Sequence, residues 1–338
     1  LIMATFTIYD CGTAFDENSN DIIARLAKET SGRRGTDWMI NAGPGSEQAS
    51  QTEIGRRLGG KFDQITGLGM YPAALTSLAA VARVNPSEVN LVGWSRGAIT
   101  CLMTARALPG IPCNLFLFDP VIGDPVLNRA LHSVAPVDTI GVNVRQLTVI
   151  QQLDATDFIF QAHNPFSATT NQAGSTRLLT MPGSHGSSVY ETSPEYAPAS
   201  QIGASLVREF LRAHGTALGG PATMSNNEYV EAYSTLWLNI SRGVAYVPSE
   251  GVISNRGEAT GSQRNLTLRL FFNSHHIEVL NRYAPQMTLA LLYTLISRKR
   301  PHPDLLAKAQ GELARLSGGQ PAALEYLRKA SSWFGMFH

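Results

Sequence analysis

The segment Asn90-Leu91-Val92-Gly93-Trp94-Ser95-Arg96-Gly97-Ala98 constrains this chain more than any other. A short apolar, strand-like run ends in Gly-x-Ser-x-Gly and passes into residues of helical character, Cys101, Leu102 and Ala105 among them. A serine on a tight strand-to-helix turn takes a strained backbone conformation, and the flanking glycines remove the side chains that would collide there. The turn also sets the serine at a helix N-terminus, where N–H groups and the helix dipole favour developing negative charge. A chance match in a loop would lack the strand before and the helix after. Ser95 is therefore the candidate nucleophile, on a turn expected to face solvent.

Around this turn, from Thr5 to about Gly215, short β-rich runs alternate with helical periodicity, the rhythm of a parallel sheet covered on both faces. The strand-like runs are Thr5–Tyr9, Trp38–Asn41, Val89–Val92, Leu115–Phe118, Val144–Leu153 and Arg177–Met181. Most are short and apolar, as strands buried on both faces should be. Asn20–Lys28 and Ile202–Ala213 read as helices, and Leu75, Leu78, Ala79 and Ala82 fall at the spacing of one apolar helix face. Gly219-Gly220-Pro221 is the best boundary candidate. The expected class is α/β, an α/β-hydrolase fold with a mostly parallel sheet and helices on both faces. It would occupy 4–218, and 222–338 would form a mostly helical C-terminal region serving as lid or pocket wall. Helical character marks Asn226–Leu238, Gln286–Arg298, Asp304–Leu316 and Ala322–Phe334.

A serine hydroxyl is a weak nucleophile at neutral pH, so it needs a histidine base and a carboxylate that holds the histidine's tautomer, in the chain order Ser, Asp, His. His185 lies in the glycine-rich loop Met181-Pro182-Gly183-Ser184-His185-Gly186, directly after the last predicted strand. Of the other histidines, His132 reads as lying inside a helix, His163 in a loop before Pro165, His214 at a helix end, and His275 and His276 in the C-terminal region. For the acid, Asp119 ends the strand after the nucleophile helix, while Asp157 and Asp154 end the following one and remain alternatives, since a strand-end aspartate is often a turn or cap. The oxyanion hole should combine the N–H of Arg96 with one from the loop Asp10-Cys11-Gly12-Thr13, where Cys11 is a donor through its backbone. Gly12 and Trp94 would touch the substrate. Gly43-Pro44-Gly45 could line the same mouth, but neither glycine loop has the ending of a P-loop.

Composition narrows the partners. With 16% charged residues and a net charge of +1, the chain lacks the basic face that nucleic acid requires. Cys11, Cys101 and Cys113 have no CxxC spacing and read as free thiols. His275 and His276 are adjacent without a carboxylate cluster, so no metal and no cofactor is expected. No ordinary signal peptide is seen at the start of the sequence, and no apolar run reaches the ~20 residues of a bilayer crossing, leaving transient surface contact as the expected relation to membranes.

Four pieces together, Asp10 to Thr13, Gly93 to Ala98, Asp119 to Val121 and Pro182 to His185, resemble a bacterial family of α/β-hydrolases that includes type VI secretion phospholipase effectors. They span roughly the first 190 residues. The resemblance implies lipase or phospholipase activity on an ester bond, delivery from the producer's cytoplasm without a cleaved signal, an immunity or secretion partner, and Ser95, Asp119 and His185 as the triad. It favours Asp119 over Asp157. The first loop departs from the family by reading Asp-Cys-Gly-Thr where many relatives read Asp-Gly-Thr. Competing expectations are an esterase, thioesterase or acyltransferase for a small or protein-linked acyl group, and a non-catalytic interaction protein on an inherited scaffold. For the first reading, Trp237, Leu238, Met287, Leu291 and Leu292 are candidates for an acyl-pocket wall.

Overall fold

The computed structural model describes residues 5–46, 69–122, 139–153, 170–191, 194–241, 272–285 and 311. Its strands are β1 (Thr5–Asp10), β2 (Trp38–Asn41), β3 (Glu88–Trp94), β4 (Cys113–Phe118), β5 (Thr139–Ile140), β6 (Val144–Gln152), β7 (Thr170–Asn171) and β8 (Ser175–Met181). The helices are α1 (Ile22–Glu29), α2 (Met70–Val84), α3 (Arg96–Arg106), α4 (Ala197–Ala213), α5 (Asn226–Ser241) and α6 (Ser274–Tyr283). Six strands form one sheet in the order β2-β1-β3-β4-β6-β8, every pair parallel, and β5 pairs with β7 apart from it. The chain is thus of the α/β class.

Successive side chains of a strand point to opposite faces, so each strand divides between two cores. Phe6, Ile8, Val89, Leu91, Leu115, Leu117, Leu147 and Val149 pack with α2 and α3. Tyr9, Val92, Trp94, Phe116, Phe118, Ile150, Leu179 and Met181 pack with α1 and α4. The second core continues into Tyr229, Ala232, Tyr233 and Leu236 of α5 and Phe272 and Val279 in and beside α6, so the described part of 222–338 shares its apolar interior with the sheet. A capping box starts α5, in which Ser225 Oγ accepts from the Glu228 N–H at 3.4 Å and Glu228 Oε2 accepts from the Ser225 N–H at 2.6 Å. Met287, Leu291, Leu292 and the helical readings beyond 285 lie outside the described residues, as does the side chain of Leu238; Trp237 packs against the second core. Among the described residues no helix is long and apolar enough to cross a membrane.

The expected face of α2 is corrected. Leu75 is 47% exposed, whereas Met70, Ala74, Ser77, Ala80 and Val81 are buried. The helix is apolar nearly all round, so leucine spacing does not choose its face. Small side chains do, because they let α2 sit close on the sheet, where Ser77 Oγ accepts from Asn41 Nδ2 at 2.8 Å.

Helix α6, not foreseen from the sequence, begins on Asn273, whose Oδ1 caps it by accepting from the His276 N–H at 2.9 Å. Asn273 Nδ2 also donates to the Thr180 carbonyl of β8 at 2.8 Å, and Thr180 Oγ1 donates to the Phe272 carbonyl. His275 Nδ1 and the Tyr233 hydroxyl hydrogen bond at 2.8 Å, while His276 Nδ1 accepts from the Phe272 N–H at 3.2 Å and its ring stacks 4.5 Å from Tyr233. Burial, with Arg177 near His275 and His275 near His276, lowers the two imidazoles to about 4 and about 3. Undocked, each would return toward 6.5 and bind more protons. Their contribution is therefore complete above pH 6.5 and is lost as pH falls below it toward 4, by about 3 kcal/mol for His275 alone. Relative to intrinsic exchange at each pH, amide protection in α6 should fall between pH 7 and pH 5 more than in β3 or β4. An equal change of protection in all three would sink this account.

Candidate active site

The sheet order reverses at β1, because the chain leaves β1 for β2 on one side and returns to β3 on the other. The connections diverge there, which sets the loops after β1 and β3 at the carboxyl ends of the strands, the place where ligands of open α/β sheets collect. Both predicted loops, the one after Asp10 and the one carrying Ser95, stand at this point.

Ser95 follows β3 at φ 58° and ψ −123°, a left-handed conformation that few non-glycine residues adopt. The turn holds it there from both ends: the Ser95 N–H donates to the Phe118 carbonyl at 2.9 Å, and the Ser95 carbonyl accepts from the Ala98 and Val121 N–H groups at 3.2 Å each. The flanking glycines are steric requirements. A Cβ on Gly93 would lie 2.6 Å from the Gly97 carbonyl, and one on Gly97 would lie 2.1 Å from the Asp10 carbonyl oxygen. Beneath the turn, the buried Asp10 carboxyl accepts from Asn41 Nδ2 at 2.7 Å and from Cys101 Sγ at 3.2 Å, and burial pushes it up to about 6.

Three side chains named from the sequence meet here. His185 Nε2 lies 2.8 Å from Ser95 Oγ, and His185 Nδ1 lies 2.6 Å from Asp119 Oδ2. Asp119 is itself at φ 37° and is fixed twice by β6, its N–H donating to the Ile150 carbonyl at 2.7 Å and its Oδ1 accepting from the Gln152 N–H at 3.1 Å. His185 sits in the turn after β8, where Gly183 adopts φ 116° and the His185 carbonyl accepts from Trp94 Nε1 at 3.3 Å. Asp154 and Asp157 lie outside the described residues.

Three expectations need correction. Ser95 is 1% exposed, so the turn does not face solvent; surrounding groups shield it, which strengthens every charge interaction around it. Cys11 is unsuited as the second oxyanion donor because its N–H already donates to the Asn41 carbonyl at 3.1 Å, continuing the β1–β2 ladder; burial also pushes its thiol well up. The next two N–H groups, those of Gly12 and Thr13, have no acceptor among the described residues. Trp94 is 3% exposed and serves as support rather than open wall: its ring fills the space above Gly12, where a Cβ would approach to 2.4 Å, and stands 5.5 Å from the His185 ring.

Arg96 heads α3, so its N–H precedes the first intrahelical hydrogen bond. Its buried side chain, lowered to about 10 by desolvation, reaches back to donate from Nη1 to Thr13 Oγ1 at 2.7 Å. The residue after Ser95 thus grips the loop that carries the Gly12 and Thr13 N–H groups. The Gly43-Pro44 segment braces the same loop, as the Pro44 carbonyl accepts from the Ala14 N–H at 2.9 Å. Sequence reasoning missed Phe15 and Tyr190, which pack on Trp94 at 4.6 and 5.6 Å between ring centres. Neither carries a motif, and only folding brings them together. Among the described residues no group of three or more His, Cys, Asp or Glu could hold a metal ion.

Such a chain of hydrogen bonds lets the imidazole take a proton from Ser95 Oγ while Asp119 stabilises the cation formed. Comparison with protein-family models and with curated proteins returns no match for this chain. The class shown is an α/β protein, and what its site does follows from its own chemistry.

Proposed function

We propose that this chain is a serine hydrolase of the α/β-hydrolase fold that cleaves carboxylic esters, with Ser95 as nucleophile, His185 as base and Asp119 as the acid orienting it. The observation that carries the reading is the continuous chain from Ser95 Oγ through His185 to Asp119 Oδ2, at 2.8 and 2.6 Å, on a serine held at φ 58° between β3 and α3. In this mechanism Ser95 Oγ attacks the ester carbonyl carbon as His185 Nε2 takes its proton. The tetrahedral oxyanion is held by the Arg96 N–H and by the N–H of Gly12 or Thr13. Collapse breaks the acyl–oxygen bond, the imidazolium protonates the departing alcohol, and water activated by His185 then releases the acid.

The resemblance in the four loop motifs favours a lipid or phospholipid as the ester, in a bacterial effector that meets membranes at their surface and has an immunity or secretion partner. Fatty-acid release from mixed phospholipid vesicles, measured beside hydrolysis of a short soluble ester, tests this. Release from vesicles supports the lipase reading, whereas cleavage of the short ester alone moves the assignment to an esterase, thioesterase or acyltransferase of small acyl groups. A fluorophosphonate should label one residue, Ser95, as read by peptide mass. Silence in both assays with no label would leave an interaction protein on a hydrolase scaffold.

A further inference from the structure

An oxyanion hole works only if its donors stand at the right separation before the reaction begins, and here they come from segments far apart in the chain, Arg96 at the head of α3 and Gly12 or Thr13 after β1. The loop after β1 does not hold its shape unaided. The Gly12 carbonyl accepts from the Phe15 N–H at 3.0 Å, so Gly12–Phe15 is a β-turn, and its third residue, Ala14, sits at φ 64°. A turn with positive φ at that place favours glycine or asparagine there. An alanine is strained in it, and such strain persists only where the surroundings over-determine the backbone.

Hydrogen bonds from two sides do this. From the segment after β2, the Pro44 carbonyl accepts from the Ala14 N–H at 2.9 Å and the Gly43 N–H donates to the Phe15 carbonyl at 2.8 Å. From the other side, Arg96 Nη1 donates to Thr13 Oγ1 at 2.7 Å. Burial lowers this guanidinium only to about 10, so it is still charged at neutral pH, and a charged donor makes a stronger bond than a neutral one. Gly43 and Pro44 set the loop against the end of β2. Arg96 sets it against the turn that carries Ser95.

We infer that Arg96 is a positioning residue for the oxyanion hole: its main-chain N–H forms one half, and its side chain, through the Thr13 hydroxyl, fixes the distance to the other half. One residue thereby gauges the hole. The oxyanion role rests on the proposed ester hydrolysis; the tie between side chain and loop does not.

Two arms separate them. In the first, amide relaxation NMR should show larger motion at Gly12 and Thr13 in Thr13→Val than in the wild type, with β3 unchanged, and wild-type behaviour in Thr13→Ser, which keeps the hydroxyl. In the second, Thr13→Val should turn over the best ester with kcat about 30-fold lower and KM within about twofold, because a misplaced donor weakens the transition state and not the bound substrate. Thr13→Ser should recover kcat to within about threefold of wild type. Arg96→Met should lose as much as Thr13→Val, and the double variant no more than Arg96→Met alone, since both changes cut the same tie. If Arg96→Met does not fold in a urea titration, the two Thr13 variants decide alone. Arg96→Lys keeps the charge but not the planar fork, so full activity in it beside a silent Thr13→Val would assign the residue an effect of charge and overturn the positioning role. Unchanged loop motion in Thr13→Val, a change in KM alone, or losses that multiply in the double variant also overturn it. Loosened loop amides in a protein that cleaves no ester and takes no fluorophosphonate overturn the hydrolase reading and the oxyanion role, and leave the tie standing.

Discussion

Ester turnover should fall about 10⁶-fold in Ser95→Ala and about 10⁴-fold in Asp119→Asn, with both variants folded. The second is the more informative because local geometry predicts how it fails. Asp119 Oδ1 accepts from the Gln152 N–H, so an asparagine would place its carbonyl oxygen there and turn its NH₂ toward His185 Nδ1. Facing a donor, Nδ1 would have to accept, and the imidazole proton would move to Nε2. That nitrogen would then donate to Ser95 Oγ instead of taking its proton. The fold tolerates the change, since φ 37° suits asparagine at least as well as aspartate. The check is kcat on whichever ester proves best, beside urea unfolding of each variant. An Asp119→Asn enzyme within tenfold of wild type would transfer the acid's role to Asp154 or Asp157.

Gly97→Ala should destabilise the protein by about 4 kcal/mol or prevent folding, although it adds a single methyl group. The new Cβ would lie 2.1 Å from the Asp10 carbonyl oxygen and 2.5 Å from that of Cys11, both backbone atoms at the end of β1 that cannot rotate aside. To relieve this, α3 must lift from β1, drawing Ser95 away from the Gly12 and Thr13 N–H groups. Turnover should therefore fall even under conditions where the variant stays folded. Gly110 is the internal control, because a Cβ there meets nothing within 4 Å. Gly110→Ala should shift the urea midpoint little, and equal midpoints for the two variants would refute the close approach.

Much of the sheet was legible in the sequence. The runs at Thr5, Trp38, Val89, Leu115, Val144 and Arg177 all became strands of one parallel sheet, because burial on both faces demands continuous apolar stretches and glycine or aspartate punctuates their ends. Ser95 and His185 were legible for a related reason, while Asp119 stood beside Asp154 and Asp157 until the resemblance favoured it. A serine on a strand-to-helix turn and a post-strand histidine are each marked by local backbone needs, whereas a strand-end carboxylate occurs at more than one strand. Helix α6 was not legible, since its short, polar N-terminus on Asn273 is completed by Thr180 of β8, 93 residues away.

The sequence by itself determined the α/β class, where the main strands lie along the chain, and Ser95 and His185, with Asp119 one of three candidate acids, since each depends on periodicity or on a turn that only certain residues can make. Tertiary structure decided what local pattern leaves degenerate. It turned α2 onto its small residues rather than its leucines, used the Cys11 N–H in the sheet ladder and left those of Gly12 and Thr13 without acceptors among the described residues. It also set Trp94 as a buried support behind His185. The physical reason is that hydrogen-bond partners and buried faces are fixed by atoms far apart in the chain. A motif can place a functional group at the end of a strand, but only packing against distant segments determines which of its neighbours remain available to a ligand.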